Sequence, residues 1–147
     1  MIDRRHFVRK SCILCAGTPF LSALLAGCES IHYVSGTLEP NGIAVLNSEF
    51  VVTSQEVRSY RQYIIVRNER LEYPICVYRI SETEYVALLM KCTHQGTELQ
   101  AFGDHLQCPA HGSEFNNRGQ VSQGPAENNL RTFRVTNGEE KLLIELK

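Results

Sequence analysis

The sequence predicts an all-β fold: a small antiparallel sandwich or barrel interrupted by one long loop-rich stretch. Three observations predict it. Short runs of branched and aromatic residues recur at close spacing, turn formers punctuate them, and no stretch of the mature chain has a convincing helical period. One segment, Gln95 to Asn129, breaks the rhythm with five of the ten glycines and little apolar periodicity.

The chain opens with Arg4, Arg5, Arg9 and Lys10 against a single Asp3, and an apolar stretch from Cys12 to Ala26 follows, interrupted at Thr18-Pro19. That is the layout of a secretory signal. At about fifteen residues the stretch is shorter than the roughly twenty that span a bilayer. Arg4-Arg5-His6-Phe7-Val8-Arg9 resembles a twin-arginine export signal, with Arg9 for the usual Lys and Asp3 for the usual Ser or Thr. Leu25-Ala26-Gly27-Cys28 resembles a bacterial lipobox, in which Cys28 is acylated and becomes the new amino terminus. These resemblances imply a signal peptide over 1–27, a lipidated tether over 28–40 and a domain over 41–147. The expected address is exported, on the periplasmic or cell-surface face of a bacterial membrane, held there by lipid on Cys28. Cys12 and Cys15 would be discarded with the leader.

Composition bounds the rest. With 147 residues, 43% of them hydrophobic and a formal charge of -1, the chain has room for one domain. The 15 basic residues are balanced by 16 acidic ones and do not cluster beyond residue 10, which excludes a nucleic-acid footprint. Removing four basic residues and one acidic residue with the leader leaves 11 against 15, a formal charge of -4.

Between Cys28 and about Pro40 the chain is polar and without period, which reads as a tether. Strands are predicted at Ile43–Leu46, Phe50–Thr53, Tyr63–Arg67, Ile75–Ile80 and Tyr85–Lys91, with Asn41-Gly42 and Asn47-Ser48 as turns. Arg131–Thr136 and Lys141–Glu145 close the chain as a hairpin around Asn137-Gly138.

In and beside the glycine-rich segment stand Cys92-Thr93-His94-Gln95-Gly96 and Cys108-Pro109-Ala110-His111-Gly112-Ser113, with thirteen residues between His94 and Cys108. Each half offers one soft thiolate and one imidazole. A structural zinc site is the alternative for two Cys and two His, but zinc sites usually draw their Cys pair and their His pair each from one local turn. Here every turn mixes the two, as C-x-H and C-x-x-H.

That mixed pattern resembles the Rieske [2Fe-2S] family over about Ile43 to Lys147, and the resemblance implies a loop-rich cluster-binding subdomain at about residues 90–126. The flanks agree: Ser113-Glu114-Phe115, Gly119 and Gly124-Pro125-Ala126 resemble the family's turn after the second loop and its Pro loop. The resemblance implies a Rieske-type [2Fe-2S] cluster with Cys92 and Cys108 on one iron, His94 and His111 on the other, and a hydroxyl donor to cluster sulfur at Ser113. Two departures matter. Thr97 and Ala110 stand where bc-complex members carry a disulfide, so loop rigidity must come from packing and hydrogen bonds. Phe115 stands where high-potential members place a tyrosine, which puts the expected potential below theirs and above an all-cysteine ferredoxin.

The function so implied is one-electron transfer without bond-making catalysis by this chain. A quinol-oxidising complex, a cytochrome or a larger oxidoreductase would be the redox partner. A ferredoxin serving an oxygenase and a zinc-stabilised non-redox binding module are the alternatives. Cys76 reads as a buried thiol, His32 and His105 as surface residues, and Leu99 and Phe102 as either a shield over the cluster or ordinary packing.

Overall fold

Residues 31–54 and 57–147 are described in the computed structural model; the predicted leader, Arg4, Arg5, Cys12, Cys15 and the lipobox Cys28 lie outside the described residues. The first strands are β1 (Tyr33–Ser35), β2 (Thr37–Glu39) and β3 (Gly42–Leu46). A 3-10 turn over Asn47–Phe50 leads to β4 (Val51–Ser54), β5 (Val57–Tyr60), β6 (Tyr63–Arg67), β7 (Ile75–Arg79) and β8 (Tyr85–Leu89). Four short strands follow, β9 (Gln100–Phe102), β10 (His105–Gln107), β11 (Glu114–Asn116) and β12 (Val121–Gln123). The last two are β13 (Thr132–Asn137) and β14 (Lys141–Glu145).

Eight strands form one sheet in the order β1-β6-β7-β8-β13-β14-β3-β2. Its two end strands are consecutive in the chain and joined by Gly36 alone, so the sheet nearly closes into a barrel. Gly36 donates to the Arg67 carbonyl at 3.3 Å, and its own carbonyl accepts from Asn68 Nδ2 at 2.9 Å. A Cβ there would fall 2.2 Å from Ile43 Cγ2 and 2.8 Å from Val66 Cγ1, one atom from the strand beside each edge. The closing residue must therefore lack a side chain. A second sheet, β12-β11-β10-β9, builds the subdomain, and β4 and β5 form a two-stranded sheet of their own among the described residues.

Strands β6 and β7 are buried on both faces, and their alternation sorts side chains between two cores. Ile64, Val66, Ile75, Val77 and Ala87 point into the barrel with Ile43, Phe50, Phe133, Leu142 and Ile144. Tyr63, Ile65, Cys76, Tyr78 and Leu88 point the other way, onto Leu99, Leu106, Phe115, Leu130 and the cysteines Cys92 and Cys108. One wall of the barrel is thus also the floor of the subdomain. Each large apolar side chain buried in this way contributes about 1.5–3 kcal/mol relative to exposure.

Two expectations are corrected here. Residues 33–39, read as part of a polar tether, form β1 and β2. They are three-residue strands held through backbone pairing to β6 and β3, and in β1 only Val34 turns inward, too short a run to show a period. The glycine-rich segment, read as loop, contains the four strands β9 to β12, again of three residues each.

Cys76 is fully buried in the shared wall, as expected, with the Tyr78 hydroxyl beside it and without a well-formed hydrogen bond of its own. Burial pushes the Cys76 thiol well above its ordinary value of 9.0 and the Tyr78 phenol above 10.0. The folded thiol stays neutral where an unfolded one ionises. Its contribution to stability is complete below pH 9 and is lost as pH rises beyond it. Urea unfolding of the wild type is expected to show about 1.4 kcal/mol of extra destabilisation by pH 10 relative to Cys76→Ala. Parallel pH profiles for the two proteins would refute the assignment.

Candidate functional site

The two Cys–His turns fold as a matched pair at the end of the subdomain sheet. In the first, the Cys92 amide donates to the Thr97 carbonyl at 2.8 Å and the Gly96 amide donates to the Cys92 carbonyl at 2.8 Å. In the second, the Cys108 amide donates to the Ser113 carbonyl at 2.8 Å and the Gly112 amide to the Cys108 carbonyl at 2.9 Å. Gly96 and Gly112 sit at φ 78° and 73°, a left-handed conformation that costs glycine nothing. The same five-residue wrap around each cysteine carbonyl is why both turns need a glycine at that place.

The site has a polarity. Cys92 and Cys108 are each 2% exposed and belong to the subdomain core, whereas His94 and His111 face solvent. The two thiols are in contact with each other. The imidazole rings meet edge to face with centres 5.2 Å apart. Two imidazoles on one tetrahedral metal at about 2.1 Å, with ring centres about 1.1 Å beyond the nitrogens, would lie roughly 5 Å apart. The spacing fits a shared metal for the histidines.

Among the described residues, no three His, Cys, Asp or Glu side chains are placed to hold a single metal ion. Two pairs, a sulfur pair inside and a nitrogen pair outside, are what the chain brings together. At Cys108 burial works against the thiolate, and the backbone amides of His111 and Ala110 outweigh it, with the Cys92 thiol and the Thr97 hydroxyl helping; the balance holds the thiol below its ordinary value. A thiolate is the form that binds iron.

Ser113 is fully buried. Its oxygen accepts from the Ala126 amide at 3.0 Å, which leaves the hydroxyl proton for a second acceptor in the site. Phe115 is fully buried two residues on and carries no donor. The three cysteines described are free, so no disulfide links the turns. Both are instead tied to the Pro loop and the strand before it. Thr93 Oγ1 donates to the Asn128 carbonyl at 2.6 Å and Gln123 Nε2 to the Gly112 carbonyl at 3.0 Å, beside the Ser113–Ala126 bond.

Thr93 and Gln123 were not singled out in the sequence and Thr97 only as the place of a missing disulfide, and only their closeness to the two motifs could have drawn notice to the bonds they make. Their partners lie 11 to 35 residues away or on the other turn. Of the two proposed shields, Leu99 is 2% exposed and packs in the same core as Cys92 and Cys108. Phe102 corrects the expectation. It is 45% exposed and stacks on His105 at 5.9 Å, at the β9–β10 turn. His32 pairs with Glu49 at 2.7 Å and His105 with Asp104 at 3.3 Å, both partly exposed.

A nearly closed barrel capped by a four-stranded sheet, with paired thiols inward and paired imidazoles outward, is the frame of an iron–sulfur β domain. The family model of the Rieske [2Fe-2S] domain matches residues 39–134, and the chain belongs to that family. Over 67 residues the chain is 37% identical to the mitochondrial Rieske subunit of the cytochrome b-c1 complex of Rattus norvegicus, a span of 42% of this chain and 24% of that protein. Over 75 residues it is 38% identical to the oxygenase component of dicamba O-demethylase from Stenotrophomonas maltophilia, 44% of this chain and 22% of that one. The matched span is about a quarter of the length of these relatives. The crystal structure of the cyanobacterial plasma membrane Rieske protein PetC3 from Synechocystis PCC 6803 shares the fold, with a TM-score of 0.51 and 24% identity over 57% of this chain and 86% of that one.

A Rieske domain carries a [2Fe-2S] cluster for electron transfer, and the donor set and its spacing fit one.

Proposed function

We propose that this chain is an exported, lipid-anchored one-electron carrier, or the electron-transfer subunit of a larger oxidoreductase. In this reading Cys92 and Cys108 hold the inner iron and His94 and His111 the outer one. The observation that carries it is the polarity of the site, with buried thiols and solvent-facing imidazoles. When bound, the cluster supplies a reversible one-electron couple, raised relative to all-cysteine centres because two neutral imidazoles replace two anionic thiolates. The chain's own residues do the rest. Hydrophobic packing from Leu99, Leu106 and Phe115 keeps water from the sulfur side, and the exposed histidine edge is the short route for an electron to a partner.

The export reading draws on the twin-arginine-like leader and on Cys28, and the site makes that route chemically sensible. A chain that must wrap a metal cluster before leaving the cytoplasm needs a pathway for folded cargo. Two distant parts of the sequence thus imply one history. A redox partner on the same membrane face, such as a quinol-oxidising complex, a cytochrome or a larger oxidoreductase, follows from the same reading.

The test is EPR and redox titration of protein purified from membranes. A reduced-state signal with two nitrogen ligands, and a midpoint inside the roughly -150 to +300 mV Rieske range, are expected. An EPR-silent protein containing one zinc would sink the reading. Ser113→Ala should keep the signal and lower the midpoint by about 40 mV, because a hydrogen bond worth about 1 kcal/mol more in the reduced state converts at 59 mV per factor of ten. An unchanged midpoint would mean that the Ser113 hydroxyl points elsewhere.

A further inference from the structure

Beside the first Cys–His turn a groove of about 670 Å³ opens onto the surface, lined among others by Tyr73, Lys91, Cys92, His94, Asn128 and Arg131. His94, which faces solvent, is part of its lining. Two cations stand in it, and among the described residues neither has a carboxylate within ion-pair distance. Glu98, which faces Lys91 across the short backbone bridge, is taken by Arg67 at 2.6 Å instead.

Both cations are held rather than free. Lys91 Nζ lies 4.7 Å from the centre of the Tyr73 ring, and its Cε would lie 3.3 Å from a Cβ at Gly96, so its stem packs on the turn itself. The Arg131 guanidinium rests 4.9 Å from the centre of Phe133 and donates from Nη2 to the Leu146 carbonyl at 3.3 Å. Side chains already ordered lose little freedom when an anion arrives. The chain as a whole has more acidic than basic residues, so an unpaired basic pair beside one imidazole is a local reversal of sign.

We propose that this groove is the docking subsite for an acidic surface of the electron-transfer partner, whose carboxylates meet Lys91 and Arg131 and whose redox centre thereby faces His94. The inference rests on the reading of His94 as an iron ligand. Opposite charge at an interface rim acts mainly on encounter, through the association rate and its dependence on salt. The electron step is balanced within the pair: one electron leaves the reduced partner, which becomes oxidised, and enters the oxidised cluster.

The test uses the holoprotein and a plant-type [2Fe-2S] ferredoxin, an acidic donor of lower potential. Lys91→Gln/Arg131→Gln is compared with Arg58→Gln/Arg79→Gln, which removes the same charge beside Tyr60 on the barrel, where both guanidiniums stack within 5.7 Å of the ring centre. Calorimetric titration with both proteins oxidised measures docking without any electron transfer, and stopped-flow mixing with reduced ferredoxin measures the transfer rate at low and high salt. The groove variant should bind roughly fivefold more weakly or worse. Its association rate should fall with it and lose salt dependence, with the EPR signal kept, while the barrel variant stays within twofold of wild type. Equal losses in both variants, no loss in the groove variant, or no association of the wild type would overturn the proposal. Absence of the EPR signal from wild-type protein would instead strike the cluster reading, and the oxidised-state titration would still report on the groove.

Discussion

Cys108→Ala is expected to fold without its cluster, with iron content and visible absorption at background and the reduced-state EPR signal gone. The thiol removed is one of the buried pair, and nothing near it can substitute. The amides of His111 and Ala110 and the Thr97 hydroxyl, all directed at that sulfur, would be left facing an apolar methyl group. On the proposed ligand assignment, losing this thiol therefore also leaves unpaired donors behind. Because the cluster binds only the folded chain, its loss should lower the unfolding midpoint as well. Cys76→Ala is the control, since Cys76 faces Tyr78 in the barrel wall and should keep its full iron. Full iron in Cys108→Ala, or equal loss in both variants, would remove Cys108 from the ligand set.

Phe115→Ala is expected to cost about 3–5 kcal/mol in urea unfolding. The ring is fully buried, and its strand β11 joins β10, which runs into Cys108, to the Pro-loop side of the subdomain. Leu88, Leu106 and Leu130 of the same core come from three different segments, so they cannot collapse together to fill the void. Phe115→Tyr is the conservative partner. A hydroxyl reaching the buried sulfurs should raise the midpoint by about 40 mV, the value of 1 kcal/mol at 59 mV per factor of ten. A loss below 1 kcal/mol in the alanine variant would show that the subdomain is not packed around this ring.

Strands β3, β6, β7, β8, β13 and β14 were legible because each has five or six residues and a run of branched or aromatic side chains. The predicted ends of β7 and β8 run one and two residues past the observed ones, at Ile80 and Lys91. Continuous apolar runs such as Tyr63–Val66 could be read as strands, but not why they lack alternation. The reason is tertiary, since both faces of β6 are covered. The three-residue strands were missed because a period cannot show in three positions, and β1 in addition pairs with a remote segment, Tyr33 with Ile65.

The site divides in the same way. Cys92, His94, Cys108 and His111 could be picked out by spacing alone, because each turn carries its chemistry within a few residues. The bonds that replace a disulfide could not, because Thr93 reaches a carbonyl 35 residues away. Whether Leu99 and Phe102 shield the site likewise depended on which way a short hairpin turns.

The wall shared by the two cores has a thermal consequence. Leu88 and Ala87 are neighbours on one strand yet belong to opposite sides of it, so melting either side strips the other of its support. Subdomain and barrel should therefore melt as a single cooperative body, and bleaching of the cofactor on heating should coincide with loss of the whole far-ultraviolet β signal rather than precede it.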